Sequence, residues 1–218
     1  MDRPRCARCA LPTLVPTVAH GDTVTGPSEA PCPACGQDLP PWHKAWAWTD
    51  YAAPWDRLIG DFKFRQQPGL ATWFAARLLA LNGASQALRA SDLVVPVPLA
   101  PARLRERGFN QAALLARALA PTKVQTGALV RSLDTPAQAG LDRTARARNL
   151  IDAFALRARS IDRVRGAHVT LVDDVLTTGA TLASATRVLL AAGARQVSVI
   201  VMARTPAPAR AANTPHID

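Results

Sequence analysis

The chain has 218 residues, 49% of them apolar and 19% charged, with 26 Lys+Arg against 16 Asp+Glu. That length fits one ordinary domain, or one domain with a small module. The composition excludes a disordered chain, and no run of 18 apolar residues is present to form a membrane span. The net charge of +10 is uneven: the segment from Arg103 to Arg165 holds 13 basic and 5 acidic residues. An anionic partner is expected, either the phosphates of a small molecule or a nucleic acid. Met1 to Cys6 has no apolar stretch behind its charges, unlike a secretory signal, so the expected location is the cytosol.

In chain order, residues 1–41 come first as a cysteine module ending in Pro40-Pro41. Cys6-Ala7-Arg8-Cys9 and Cys32-Pro33-Ala34-Cys35 are two Cys-x-x-Cys pairs. Two residues between thiolates put both sulfurs on one side of a tight turn, and two such turns make a closed, tetrahedral, structural Zn²⁺ site. Gly36 is expected to supply a positive φ behind the second pair. A reducing cytosol disfavours structural disulfides, and a redox dithiol would need a βαβ setting that the flanking sequence lacks. His20 is the alternative ligand between the pairs, or else a solvated loop histidine.

Residues 42–90 form an aromatic and helical connecting region. Trp46, Trp48 and Asp50 alternate with Ala47, Thr49 and Tyr51, which predicts a strand or hairpin arm. Pro54 precedes a predicted helix with Trp55, Leu58, Ile59 and Phe62 on one face and Lys63 at its end. A second helix is expected from about Leu70 to Leu81. The tryptophans either fill the seam between module and domain or stack on bases.

Residues 91–204 read as the main domain. Asp92 to Pro98 is a short buried strand closed by proline. Residues 99–107 are polar and rich in arginine. Phe109 to Leu119 reads as a helix, which Asn110 is placed to cap. Strands are expected at Lys123–Leu129 and Ile151–Leu156, separated by a basic segment, 131–150, read as a long functional loop. Ala167–Val172 and Gln196–Met202 read as strands, Leu182–Leu190 as a helix ended by Gly193, and 205–218 as a disordered tail. Alternating strands and helices with near-continuous apolar strands predict an α/β domain with a parallel sheet covered on both faces.

The most informative string runs from His168 to Leu182. A buried strand delivers Asp173 and Asp174 at its C-terminal end, where open α/β sheets bind ligands. Adjacent carboxylates repel, so ribose hydroxyls or a divalent cation must compensate them. A turn of Thr177, Thr178, Gly179, Ala180 and Thr181 then runs into a helix, with backbone N–H groups and hydroxyls forming a monophosphate cradle.

This string resembles the phosphoribosyl diphosphate signature of type I phosphoribosyltransferases. Val95-Pro96-Val97-Pro98, Arg103 to Gln111, Gln138 with Arg146, Asn149 and Phe154, the paired cysteines and Asp61-Phe62-Lys63-Phe64 together resemble the ComF family of competence-associated proteins. The resemblance covers about residues 6 to 204. It implies a parallel-sheet type I phosphoribosyltransferase fold with a small N-terminal four-cysteine zinc module. It implies that Asp173 and Asp174 hold the ribose hydroxyls, directly or around Mg²⁺. It implies that Thr177, Thr178, Gly179, Ala180 and Thr181 hold the 5′-phosphate. Arg103, Arg105 and Arg107 would serve the diphosphate. Asn110, Gln111, Gln138, Arg146 and Asn149 are candidates for loop closure or acceptor contact, with Arg148 beside them. The implied reaction displaces diphosphate from ribose C1 by a nitrogen nucleophile of unspecified identity. The competing reading is a protein that handles single-stranded DNA, or a regulator, with phosphoribosyl diphosphate as ligand and DNA-uptake proteins as partners. In that reading Arg143, Arg146 and Arg148 are expected to contact DNA phosphates.

Overall fold

The computed structural model describes residues 4–13, 31–64, 67, 69–131 and 153–206. Its frame is a four-stranded parallel sheet in the order β1-β6-β5-β2, with β1 at Ala45–Asp50, β2 at Leu93–Pro96, β5 at His168–Leu176 and β6 at Gln196–Arg204. β3 (Leu129–Arg131) and β4 (Phe154–Leu156) form a separate antiparallel pair. The helices are α1 (Pro33–Gln37), α2 (Trp55–Phe64), α3 (Leu70–Leu79), α4 (Ala84–Ala90), α5 (Pro101–Arg107), α6 (Gln111–Leu119), α7 (Ile161–Val164) and α8 (Ala180–Ala191).

Two apolar layers cover the sheet, as a parallel sheet requires. The period-2 alternation of the central strands sorts side chains between them. Val169 and Leu171 of β5, with Val197, Val199 and Val201 of β6, pack with Leu182, Ala185 and Leu189 of α8. Val172, Ile200 and Met202 point the other way, toward Ile59, Phe62, Phe74, Leu78 and Leu115 of α2, α3 and α6. Ala71, Phe74, Ala75 and Leu78 recur at three- and four-residue spacing, and that buried face makes α3 a helix. On this second face Thr170 of β5 is fully buried and shares a 2.6 Å hydrogen bond with Ser91. No described helix is long and apolar enough to cross a membrane.

The connecting region contributes directly to this body. β1 pairs in parallel with β6 from Ala45↔Val199 to Asp50↔Arg204, so it is an edge strand of the main sheet rather than a hairpin arm. Of its tryptophans, Trp42 meets the cysteine module, donating from Nε1 to the Arg8 carbonyl at 2.5 Å. Trp48, Trp55 and Trp73 instead cluster edge-to-face and tilted over Phe74, with centroids 4.7 to 6.4 Å apart. The polar segment 99–107 is largely the helix α5, which buries no residue. The strand expected at 123–129 is replaced by a single bridge of Val124 to Val94, followed by a turn, and β3 begins only at Leu129. β5 and β6 each run to nine residues, past the predicted Val172 and Met202 ends. Gly36 lies inside α1; among the described residues of the cysteine module the positive φ belongs to Ala10, at 56°. The expected loop 131–150 and the tail lie outside the described residues, apart from Arg131, Thr205 and Pro206.

Lys123 fixes the outer side of β2. Its ammonium donates to the carbonyls of Leu88, Arg89 and Ser91, at 3.1, 2.7 and 2.7 Å, and so caps the C-terminus of α4. A cation there satisfies carbonyls that a helix end leaves open and complements the helix dipole. Lys123→Met is expected to lower stability by about 1–2 kcal/mol, since it strips charged donors from several carbonyls. Thermal or urea denaturation checks this, and a variant as stable as the parent would remove the capping role.

Candidate functional site

β5 keeps Val169 to Val172 buried and then ends on two half-buried carboxylates at the C-terminal edge of the sheet. The Asp174 N–H donates to Asp173 Oδ1 at 2.8 Å. Asp174 Oδ2 lies 3.1 Å from Lys63 Nζ, and both side chains are mostly withdrawn from solvent. Lys63 also sits 5.6 Å from the centroid of the Tyr51 ring. Burial pushes the Asp173 carboxyl up to about 7, and the neighbouring Asp174 charge adds to the rise. The Asp174 N–H, Lys63 and Arg131 act in the opposite direction without cancelling it. The Arg131 guanidinium lies over the Phe154 ring at 5.4 Å, which fixes it on the β3–β4 pair.

Lys63 is held in place by residues from α5 and α6. Gln111, only 1% exposed, donates from Nε2 to the Lys63 carbonyl at 2.9 Å and accepts from Arg107 Nη1 at 3.3 Å. Arg107 packs over Phe64 at 4.7 Å. Asn110 caps α6, accepting from the Ala113 N–H at 3.3 Å and donating to the Val97 carbonyl at 3.0 Å. Asn110 and Gln111 thus hold elements together beside the carboxylates. Arg103 and Arg105 are exposed on α5. Gln138, Arg143, Arg146, Arg148, Asn149 and His20 lie outside the described residues.

After β5 the chain turns through the exposed Thr177 and Thr178 to Gly179, whose φ of 84° is left-handed. The Ala180 N–H points at Thr178 Oγ1, 3.4 Å away, and α8 starts at Ala180. A Cβ on Gly179 would lie 3.1 Å from Trp42 Cη2 and 3.5 Å from Leu176 Cδ1, so both the backbone angle and the close approach demand glycine. Arg204, the last residue of β6, supports the same turn. Its Nε donates to the Cys9 carbonyl at 2.9 Å, and its Nη1 reaches the carbonyls of Leu176 and Thr205 at 2.9 and 2.8 Å, and that of Thr177.

The four cysteine sulfurs lie within 4.8 Å of one another, with Cys9···Cys32 at 3.5 Å and Cys6···Cys35 at 3.9 Å. A tetrahedron with Zn–S near 2.3 Å has edges of about 3.8 Å, so the set fits zinc. The donor chemistry agrees. Burial alone would raise the Cys6 thiol, but hydrogen bonds from the backbone of Cys32, Cys9 and Arg8 outweigh it and bring Cys6 down to about 7. Burial pushes Cys9 up to about 12 and also raises Cys35, where the neighbouring cysteines add to the effect. Such a cluster disfavours four thiolates by itself, and a dication at its centre allows them.

The sequence assigns no particular role to Lys63 or Arg204, whereas Trp42 fills the seam expected of the tryptophans. Lys63 had a signal in its place within Asp61-Phe62-Lys63-Phe64, at a helix end. Arg204 had one as a charge ending an otherwise apolar strand.

Asp173 makes stability depend on pH. Unfolded, it titrates near 3.8; folded, near 7. The raised value means the fold binds this proton more tightly than the unfolded chain does. This group therefore favours the ligand-free fold when protonated and takes stability away as pH climbs from about 4 to about 7. Asp173→Asn is expected to flatten that slope, raising the melting temperature relative to the parent at pH 8 and leaving it close to the parent at pH 4. Melting curves that stay parallel across this range would place the strain elsewhere.

A family model described as phosphoribosyl transferase domain matches residues 104–216. The DNA utilization protein YhgH of Escherichia coli strain K12 is 35% identical over 211 residues, covering 94% of this chain and 86% of that protein. Competence protein F of Haemophilus influenzae is 34% identical over 179 residues, covering 79% of this chain and 78% of that protein. Competence protein ComFC of Bacillus subtilis strain 168 is 37% identical over 114 residues, covering 52% of this chain and 45% of that protein. With its parallel sheet, its acidic strand end and its clustered cysteines, the chain belongs to the phosphoribosyl transferase domain family and, within it, to the ComF family of competence-associated proteins.

Proposed function

We propose that the chain binds phosphoribosyl diphosphate with Mg²⁺ at the corner between β5 and α8, and transfers the phosphoribosyl group to a nitrogen acceptor. The observation that carries this is the junction itself: two adjacent, half-buried carboxylates stand just before a Gly179-hinged turn into the N-terminus of α8. The carboxylates suit hydroxyls or a cation, and the turn suits a phosphate. Phosphoribosyl diphosphate with Mg²⁺ carries all three groups. The raised Asp173 carboxyl supports the cation, since a divalent ion relieves the repulsion from Asp174.

In this reading Asp173 and Asp174 hold the ribose hydroxyls or the ion, and Lys63 keeps Asp174 oriented. Thr177 to Thr181 hold the 5′-phosphate, with Arg103 and Arg105 on the diphosphate side. When bound, Mg²⁺ supplies charge neutralisation to the diphosphate. The ribose C1–O bond breaks with its electron pair leaving on diphosphate, the C1–N bond forms, and the acceptor nitrogen releases its proton to solvent. Catalysis by this chain rests on positioning and on cations that stabilise the leaving group. Asp173→Asn with Asp174→Asn, or Thr178→Arg filling the cradle, is expected to weaken binding by more than about tenfold, the scale of losing one or two charged hydrogen bonds. Calorimetry with Mg²⁺ and phosphoribosyl diphosphate measures this, and diphosphate release with candidate bases measures turnover. Unchanged affinity in both variants would put the ligand elsewhere.

A second reading rests on the exposed side of α2 and α5. Phe64 is 62% exposed, carries Arg107 over its ring, and lines an open groove of about 620 Å³ with Arg57, Gly60 and Asp61. An exposed ring among arginines is a stacking platform for single-stranded nucleic acid. The relatives' names, DNA utilization protein and competence protein, support it. Phe64→Ala is expected to weaken single-stranded DNA binding for all sequences alike. Arg103→Ala with Arg105→Ala should also flatten its salt dependence, because phosphate contacts release counterions. Anisotropy across a salt series decides, and affinity indifferent to salt would end this reading.

A further inference from the structure

The cysteine module and the phosphate turn are distant in sequence, yet two side chains touch both. Arg204 joins the Cys9 carbonyl, inside the first Cys-x-x-Cys pair, to the carbonyls of Leu176 and Thr177, where the turn begins. Trp42 donates to the Arg8 carbonyl, in the same pair, and its ring lies against Gly179, the hinge of the turn. Trp42 is 3% exposed, so its position is set by packing. Both links start from backbone between or at cysteines 6 and 9. That backbone is the part of the module whose geometry metal binding fixes, because the two sulfurs must converge on one ion.

We propose that Arg204 and Trp42 are positioning residues that transmit metal occupancy of the four-cysteine site to the phosphate turn, so that the metal-loaded module holds residues 177–181 in their ligand-ready form. The proposal rests on the reading of that turn as the phosphate site. With the metal bound, four thiolates around a dication carry a net negative charge. The Arg204 guanidinium, anchored at Cys9, is a cation that answers that charge and carries the constraint to the turn. Its planar fork explains the choice of residue: Nε faces the module and Nη1 faces the turn. A lysine has a single nitrogen at its tip and cannot occupy the Nε and Nη1 positions at once. By linkage, a ligand that orders the turn must tighten metal binding by the same factor.

Hydrogen–deuterium exchange on the full chain tests this without any ligand, with metal content measured alongside. In the zinc-loaded parent, the peptide spanning 176–181 should exchange slowly. Removing zinc with a chelator that spares Mg²⁺ should speed exchange there by about tenfold or more, the scale of local opening, with peptides from β5 and α3 unchanged. Arg204→Lys should retain one zinc per chain and exchange fast at 176–181 even when loaded. Trp42→Phe, which keeps a buried ring but loses both the bond to Arg8 and the reach of Cη2 toward Gly179, should also exchange faster there than the parent when loaded. Should metal removal unfold the whole chain, the zinc-loaded Arg204→Lys variant decides alone. Slow exchange at 176–181 in that variant, or a folded parent that purifies without metal, would overturn the coupling. Titration with ribose 5-phosphate then separates the two claims. Fast exchange in Arg204→Lys together with no ribose 5-phosphate binding by the parent would keep the mechanical link and reject the phosphate reading.

Discussion

Two carboxylates side by side at the end of a buried strand are the constraint around which this fold is arranged. Asp173 and Asp174 are half-buried within β5, which β6 pairs as far as Leu176 and β2 as far as Val172, so water alone cannot screen them. Lys63 answers Asp174 at 3.1 Å, and its own position depends on Gln111 and Arg107. Arg131 acts on Asp173 from the β3–β4 pair. Four elements beyond the sheet therefore serve one acidic pair, and each brings a cation or the group that holds one. Asp173 nonetheless keeps a raised pKa, the mark of a site whose compensation is incomplete in the free protein.

What the sequence made legible followed from patterns with a strong physical cause. The β5 strand, its acidic end and the glycine turn announced themselves because buried β-branched runs, paired aspartates and hydroxyl-rich turns have few other uses in that order. The paired cysteines were equally plain, since their spacing is the geometry of a metal knuckle. α3 and α6 showed through their apolar faces. α5 was hidden because it buries no residue, leaving no periodicity to read. The stretch 123–129 looked like a strand because Val124, Ala128 and Leu129 are apolar, but the two glycine and proline turns around it leave room for one bridge only.

The site's supporting residues were harder to read for a different reason: their partners are backbone atoms far away in sequence. Gln111 looked like a ligand-facing residue beside Arg107 and Phe109. In the fold it is buried and spends its amide on the Lys63 carbonyl, 48 residues away. Among the described residues Arg204 donates to carbonyls, one of them 195 residues distant. No residue-type pattern encodes a bond to a carbonyl, because every residue has one. Such contacts emerge only from the topology that brings β6, β5 and the cysteine module to one edge.

That topology also bears on the order in which charge is used. In the proposed reading the chain passes within nine residues, from Asp173 to Thr181, from a group that wants a cation to a turn that wants an anion. The two demands are kept apart by the buried Val175 and Leu176, which anchor the turn's start to the apolar layers. A ligand that presents hydroxyls or a chelated ion at one end and a phosphate at the other satisfies both at once. A simple anion would meet the aspartates unfavourably, and a bare cation would leave the turn unanswered. Arg103 and Arg105 of α5 stand on the exposed surface. They add attraction for a highly charged ligand at longer range without neutralising the acidic pair. The same arrangement leaves the Phe64 face open beside them, so small-ligand binding and strand binding would share an electrostatic approach while resting on different side chains.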